Sequence, residues 1–264
     1  MRSLYVPSAA AHVRWIDIPG EGAPHVYLHG LGSAGSADFP GIVTHAGLAG
    51  RRTIVVDLLG HGFSDRPEGF PGTLEAHADT VAAVLDHCAV RSAVLVGHSM
   101  GGAAAILLAA RRPELCSRVV VAEPNLLAGG GLYSRAIAAQ SERDFVGHGF
   151  RALLAGLVPE YAARMRTADP AIVHRSAVHL VRGAVPGVAE TFHGLPQPRV
   201  LIVGARSRPY PGEDGVRRAG IPIVEVPDAD HHMLTDDVPG FVAALLRALA
   251  SDHPTSPGLW QAVR

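Results

Sequence analysis

Short apolar runs alternate with stretches of helical period along most of the chain. The runs HVYL (25–28), TIVV (53–56), AVLV (93–96), RVVVA (118–122), RVLIV (199–203) and IPIVEV (221–226) are nearly continuous in apolar, mostly β-branched residues. Such runs suit strands buried on both faces of a parallel sheet, since a half-exposed antiparallel strand would alternate with polar residues. Between them, apolar positions fall at helical spacing over about 74–88, 100–112 and 239–250. Pro239 fits the first turn of the last of these, where its missing N–H costs no hydrogen bond. Two N-terminal stretches, 3–6 and 13–18, are candidate antiparallel edge strands. This order predicts an α/β fold: a mostly parallel sheet of eight strands or slightly fewer, with helices on both faces.

From about 128 to 198 the rhythm breaks. The stretch is rich in Ala, Arg and His, keeps helical spacing and holds no convincing strand. It reads as an all-helical insertion, residues 125–198, into one core made of residues 1–124 and 199–264. Glycines 129–131 suggest a hinge at its start. No repeat or low-complexity linker separates a second autonomous domain, and a length of 264 residues suits one such core.

Charge narrows the chemistry. The 23 basic residues are all Arg and stand against 24 acidic ones. The absence of Lys excludes a P-loop, a Schiff-base lysine and a catalytic Lys. Without a basic stripe, a nucleic-acid partner is not expected. Cys88 and Cys116 sit in apolar contexts and read as unpaired. The N-terminal MRSLYVPSAAAHVRW has no apolar core of a signal peptide, and the longest apolar run, 103–110, falls far short of the roughly 20 residues that span a bilayer. The expectation is a cytoplasmic protein without a membrane partner.

The segment AVLVGHSMGGAAAILLAA places a buried strand before Gly97-His98-Ser99-Met100-Gly101-Gly102 and an Ala-rich helix after it. A strand-to-helix turn this sharp needs small residues two before and two after its Ser, here Gly97 and Gly101. It leaves the hydroxyl exposed at a helix N-terminus, where the Met100 N–H can face an oxyanion. The bland alternative is a Ser that merely caps the helix; the flanking strand, helix and extra Gly favour a nucleophile.

At this turn the chain resembles the α/β-hydrolase superfamily, and the resemblance extends over nearly its whole length. The run HVYLHGLGSAG is similar to the family's His-Gly loop, which implies a second oxyanion N–H from Leu31. The run VVDLLGHGFSDRP is similar to the loop after the family's fourth strand. His29, Asp57, His61 and Ser64 are expected to shape these loops, and His98 to pack beneath the turn. A serine nucleophile needs an imidazole to accept its proton and an acid to orient that imidazole. The tail VPDADHHMLTDDVPGFVAALLRAL offers His231 and His232. Spacing from Val226 and from Phe241 and Leu245 selects His231, whereas spacing from Pro239 alone selects His232.

The acid departs from the family pattern. Most members carry an Asp in a Gly-x-x-Asp run after the strand at 199–203, and here that run is Gly204-Ala205-Arg206-Ser207. Glu123, at the tip of the preceding strand, lies on the sheet edge where such sites form and keeps the order Ser, acid, His. Glu213, Asp214 and Asp230 are the alternatives.

The insertion stands where relatives carry a helical cap that shapes the substrate pocket, with Tyr133, Phe145, Phe150, Leu153 and Leu154 as lining candidates. His174, His179 and His193 lack metal-ligand spacing, so no metal and no cofactor are expected. The resemblance implies a serine hydrolase acting on a small acyl substrate, an ester, thioester or lactone, through an acyl-enzyme. Two rivals share the fold: a biosynthetic cyclase or lyase-like enzyme, motivated by the missing Asp, and a non-catalytic ligand-binding descendant. The sequence does not address the oligomeric state.

Overall fold

In the computed structural model, which describes residues 1–251, eight strands form one sheet. They are β1 (Arg2–Val6), β2 (Ala11–Ile18), β3 (Glu21–Leu28), β4 (Arg51–Asp57), β5 (Ala93–His98), β6 (Cys116–Ala122), β7 (Arg199–Gly204) and β8 (Ile223–Val226), in the spatial order β1-β2-β4-β3-β5-β6-β7-β8. β1 pairs with β2, and β2 with β4, antiparallel; every other pairing is parallel. The strands expected from the apolar runs are all present; β4 and β6 begin two residues ahead of their runs, β3 four residues ahead and β8 two residues later. β3 starts at Glu21, ahead of its apolar run, and its register with β4 shifts between Glu21 and His25, around Pro24. β8 starts at Ile223, just after Pro222, which has no N–H for a ladder.

Helices α1 (Leu74–His87), α2 (Met100–Arg111), α3 (Leu132–Ala138), α4 (Phe150–Gly156), α5 (Pro159–Met165), α6 (Pro170–Arg182), α7 (Val188–Gly194), α8 (Glu213–Arg218) and α9 (Val238–Ala250) connect the strands, together with shorter turns. Side chains along a strand alternate between faces. Leu95, Val119, Val121, Leu201 and Val203 join one core cluster with residues of α1 and α2. Val94, Val96, Val120, Val200 and Ile202 join the other, with Phe241 and Leu245 of α9. Both faces are therefore buried, which is why the central runs carry no polar alternation.

Polar residues fix where helices start. The Thr73 hydroxyl accepts from Ala76 N–H, Asp169 from Ile172 N–H and Asp237 from Gly240 N–H, each contributing about 1 kcal/mol. Pro170 and Pro239 occupy the first turns of α6 and α9, where their rings are tolerated.

Between β6 and β7 the chain is helical, from α3 to α7. α6 packs against α3 and also touches α1, while α7 packs on α2 and α8 at the flank of the sheet. Among the described residues no helix is long and apolar enough to cross a membrane. Cys88 and Cys116 are unpaired.

Candidate active site

Ser99 joins β5 to α2 with φ 53° and ψ −121°, a conformation that L residues rarely hold. Two close approaches impose the glycines around it. A Cβ on Gly97 would lie 2.6 Å from the Gly101 carbonyl oxygen, and one on Gly101 would lie 2.4 Å from the carbonyl oxygens of Leu28 and His29. The Ser99 hydroxyl makes no capping bond to α2. It stands instead 3.1 Å from His231 Nε2 and 3.5 Å from Asn125 Oδ1.

Glu123 follows β6 as Ser99 follows β5. His98 pairs with Ala122, Ser99 N–H donates to the Ala122 carbonyl at 3.0 Å, and Glu123 N–H donates to the Ile202 carbonyl at 3.0 Å. The two side chains thus rise from adjacent strands at one level of the sheet. Glu123 also holds a positive φ, 41°. Its buried carboxylate accepts Gly204 N–H at 2.9 Å on Oε1 and meets His231 Nδ1 at 2.8 Å on Oε2. A carboxylate only accepts, so Nδ1 carries the proton and Nε2 is left as the acceptor facing Ser99. Tyr210 covers this corner, its hydroxyl donating to the Pro124 carbonyl.

His98 holds the histidine loop in place. Its Nε2–H donates to the His231 carbonyl at 2.8 Å, with the two rings 4.9 Å apart. Burial, reinforced by the neighbouring His231, pushes the His98 imidazole well below its usual range, so it stays neutral. His29 donates from Nδ1 to Gly30 O and accepts Leu58 N–H on Nε2, which binds the loop after β3 to the loop after β4. His61 likewise spans Leu59 O and Gly32 N–H. Asp57 accepts from Ser36 and from Phe63 N–H, and Ser64 donates to the Asp57 carbonyl. These groups shape loops, as their sequence context suggested.

Leu31 and Met100 flank Ser99. A Cβ on Gly30 would lie 3.2 Å from Ser99 Cβ, so the backbone leading into Leu31 runs against Ser99. Met100 opens α2, so its N–H has no intrahelical acceptor. Among the described residues, neither N–H finds a backbone acceptor.

Ser99 and His231 open onto a cavity of about 380 Å³ between the strand ends and the helices that follow β6. Of the aromatic and leucine residues expected to line it, Tyr133 does. Phe145 and Phe150 pack edge to face on each other at 5.8 Å, and with Leu153 and Leu154 they belong to the core between helices. His232 lines the cavity beside Tyr161, and its N–H donates to Asp230. The other candidate acids lie elsewhere: Glu213 is bound to Arg208 and Arg217, and Asp214 is exposed.

Among the cavity residues not anticipated from the sequence are Asn125, Asp38, Tyr161 and Arg164. Tyr161 and Arg164 carried a readable signal, a spacing of three on an amphipathic stretch, which places both on one helix face. Asp38 and Asn125 carried none: Asp38 ends a one-turn helix after β3 and Asn125 lies in the loop after β6, and neither position has a periodic pattern to read. Among the described residues no cluster of His, Cys, Asp or Glu is arranged to hold a metal.

Residues 25–160 match the family model of the alpha/beta hydrolase fold. Among curated proteins, the dihydrolipoyllysine-residue acetyltransferase component of the acetoin cleaving system of Pseudomonas putida is 38% identical over 167 residues, 62% of this chain. The chain spans 40% of that relative's own length. The 2-(acetamidomethylene)succinate hydrolase of Mesorhizobium japonicum is 27% identical over 247 residues, covering 81% of this chain and 83% of the relative. Among solved structures, the enol-lactonase from Burkholderia xenovorans LB400 superposes with a TM-score of 0.75 at 21% identity, over 95% of this chain and 100% of that one.

Proposed function

Given that the chain belongs to the alpha/beta hydrolase fold family, we propose that it hydrolyses a carboxylic ester, thioester or lactone through an acyl-enzyme on Ser99. The observation that carries this reading is the hydrogen-bonded chain Ser99, His231, Glu123, with its serine end open to the cavity. Two relatives are named for hydrolysis, one of them an enol-lactonase, which supports the reaction class.

Ser99 Oγ attacks the substrate carbonyl while His231 Nε2 takes its proton. The imidazolium that forms is stabilised by Glu123, which is fixed from its other oxygen by Gly204 N–H. The tetrahedral oxyanion falls between the free N–H groups of Met100 and Leu31, where donors aligned in advance need no reorganisation. Collapse returns the proton from His231 to the leaving alcohol or thiol. Water then attacks the acyl-serine, again losing a proton to His231, and the acid departs with Ser99 restored. The helices between β6 and β7 act as a cap that limits water and shapes the pocket. The cyclase reading drew on the missing Asp after β7, and the contact of Glu123 with His231 removes that motive.

A fluorophosphonate probe together with a chain-length panel of 4-nitrophenyl esters tests the proposal. The wild-type protein labels at Ser99 and turns over esters, and Ser99→Ala does neither. A folded Ser99→Ala protein with full esterase activity refutes it.

A further inference from the structure

The cavity holds a cation whose donors are unfilled. Arg164 sits on α5, three residues after Tyr161, on the helix face turned toward the strand ends. The Tyr161 hydroxyl donates to the Leu31 carbonyl at 2.9 Å, which ties this face of α5 to the loop beside the nucleophile. The Arg164 side chain is 15% exposed and lines the same cavity as Ser99. Among the described residues its Nε is fully buried without a hydrogen-bond partner, and the acid near it is Asp38, with Oδ1 at 3.5 Å from Nε; that oxygen also accepts the Ser33 hydroxyl at 2.7 Å.

Asp38 is the nearby counter-charge, but it leaves the guanidinium without a hydrogen bond. Burial pushes the Asp38 carboxyl up to about 6, against the pull of Ser33 and Arg164, so it is still mostly ionised at neutral pH, and at 3.5 Å from Nε it gives Arg164 an ion pair only. His232 is kept neutral chiefly by burial, with Arg164 among the cations that depress it. Asp230 is turned to His232 N–H, and Arg206 pairs with Asp236 at 3.5 Å. A clamp holding α5 to the core would be a bidentate pair, and the Arg164 and Asp38 geometry is not one. An arginine aimed into a cavity with its planar fork open matches a carboxylate.

We propose that Arg164 receives a carboxylate carried by the substrate at the end remote from the carbonyl that Ser99 attacks. The substrate class is then a half-ester, half-thioester or carboxylated lactone of a dicarboxylic acid. A cavity of about 380 Å³ has room for a short dicarboxylic chain such as that of adipate. The identity of the reacting end rests on the proposed hydrolase reading; the anion site does not.

Two esters that differ only in the distal group test this: 4-nitrophenyl hydrogen adipate and 4-nitrophenyl hexanoate. In the wild-type protein the KM for the hydrogen adipate is lower by about tenfold or more, the effect of one charge-assisted hydrogen bond. Arg164→Gln loses that preference through KM, and Arg164→Lys keeps part of it. A preference that survives Arg164→Gln overturns the proposal, and so does an equal loss on both esters, which would make Arg164 a support of the cap. Calorimetric titration of adipate into Ser99→Ala and into Ser99→Ala/Arg164→Gln needs no turnover. It therefore decides the anion site even if neither ester is cleaved. Adipate binds the first about tenfold or more tightly than the second; equal binding, or none to either, overturns the proposal.

Discussion

Replacing Glu123 by Gln isolates the role of the acid while conserving its volume. Glu123 makes two contacts from a buried position, 2.9 Å to Gly204 N–H and 2.8 Å to His231 Nδ1. Both partners present hydrogens, and a glutamine offers one acceptor oxygen and one NH2. If the oxygen stays on Gly204, the NH2 faces Nδ1, the imidazole shifts its proton to Nε2, and the nitrogen facing Ser99 turns from acceptor into donor. If the oxygen faces His231, the NH2 opposes the Gly204 N–H, and a buried donor left unpaired costs about 1–3 kcal/mol. In the first case folding is spared and the base is lost. Loss of the correct tautomer lowers kcat by roughly 10³- to 10⁴-fold, or about 4–5 kcal/mol of barrier. Steady-state kinetics on 4-nitrophenyl butyrate, with thermal unfolding as the control, measures this. Glu213→Gln and Asp214→Asn serve as comparisons and leave kcat within about twofold, since neither side chain approaches His231. A Glu123→Gln protein of normal stability that keeps kcat within tenfold of wild type would refute the assignment.

Further outcomes follow from buried groups elsewhere. Burial holds His29 at about 4 and His61 at about 3, below the usual 6.5. The unfolded chain therefore binds more protons than the native one below pH 6.5, and stability falls as pH drops through that value. At pH 5 the linkage amounts to about 2 kcal/mol for each imidazole, so urea midpoints should fall sharply between pH 7 and 5; equal midpoints would contradict neutral burial. For Gly101→Ala, the added Cβ meets two backbone carbonyls that cannot yield, at 2.4 Å. The expected loss is about 1–3 kcal/mol or more, seen as a lower Tm, and an unchanged Tm would show that the turn has more room than its geometry indicates.

The sheet was legible because it is buried on both faces: short runs rich in β-branched residues, such as AVLV and RVLIV, suit strands covered on both sides. The start of β3 was not, since Glu21-Gly22-Ala23-Pro24 has neither apolar alternation nor a full set of donors. In the site, Ser99 was marked by its glycines, and Glu123 by a carboxylate placed at a strand tip where solvent exposure offered no reason for it. His231 was separable from His232 only by counting from several anchors at once. Arg164 and Asp38 come from distant segments and meet through packing of α5 over the loop after β3, a relation that no local pattern encodes. Phe145 and Phe150 misled in the opposite direction: large apolar rings in an inserted segment pack on each other before they reach a cavity.

Seating the acid after β6 has a consequence for how the pocket can change. The loop after β7, where the family resemblance leads one to expect the acid, holds no member of the Ser99, His231 and Glu123 chain, yet Arg206 and Ser207 face the cavity from it. Its tie to that chain is the Gly204 backbone N–H, which any non-proline residue could offer, although Gly204 itself is confined by the Ala229 carbonyl. The loop also touches the His231 segment through Arg206, whose N–H donates to the Ala229 carbonyl and whose guanidinium pairs with Asp236. Ser207 faces the cavity and makes neither contact, so substitutions there can retune the fit to a substrate with the least disturbance of the relay, and it is the most economical place to seek altered selectivity.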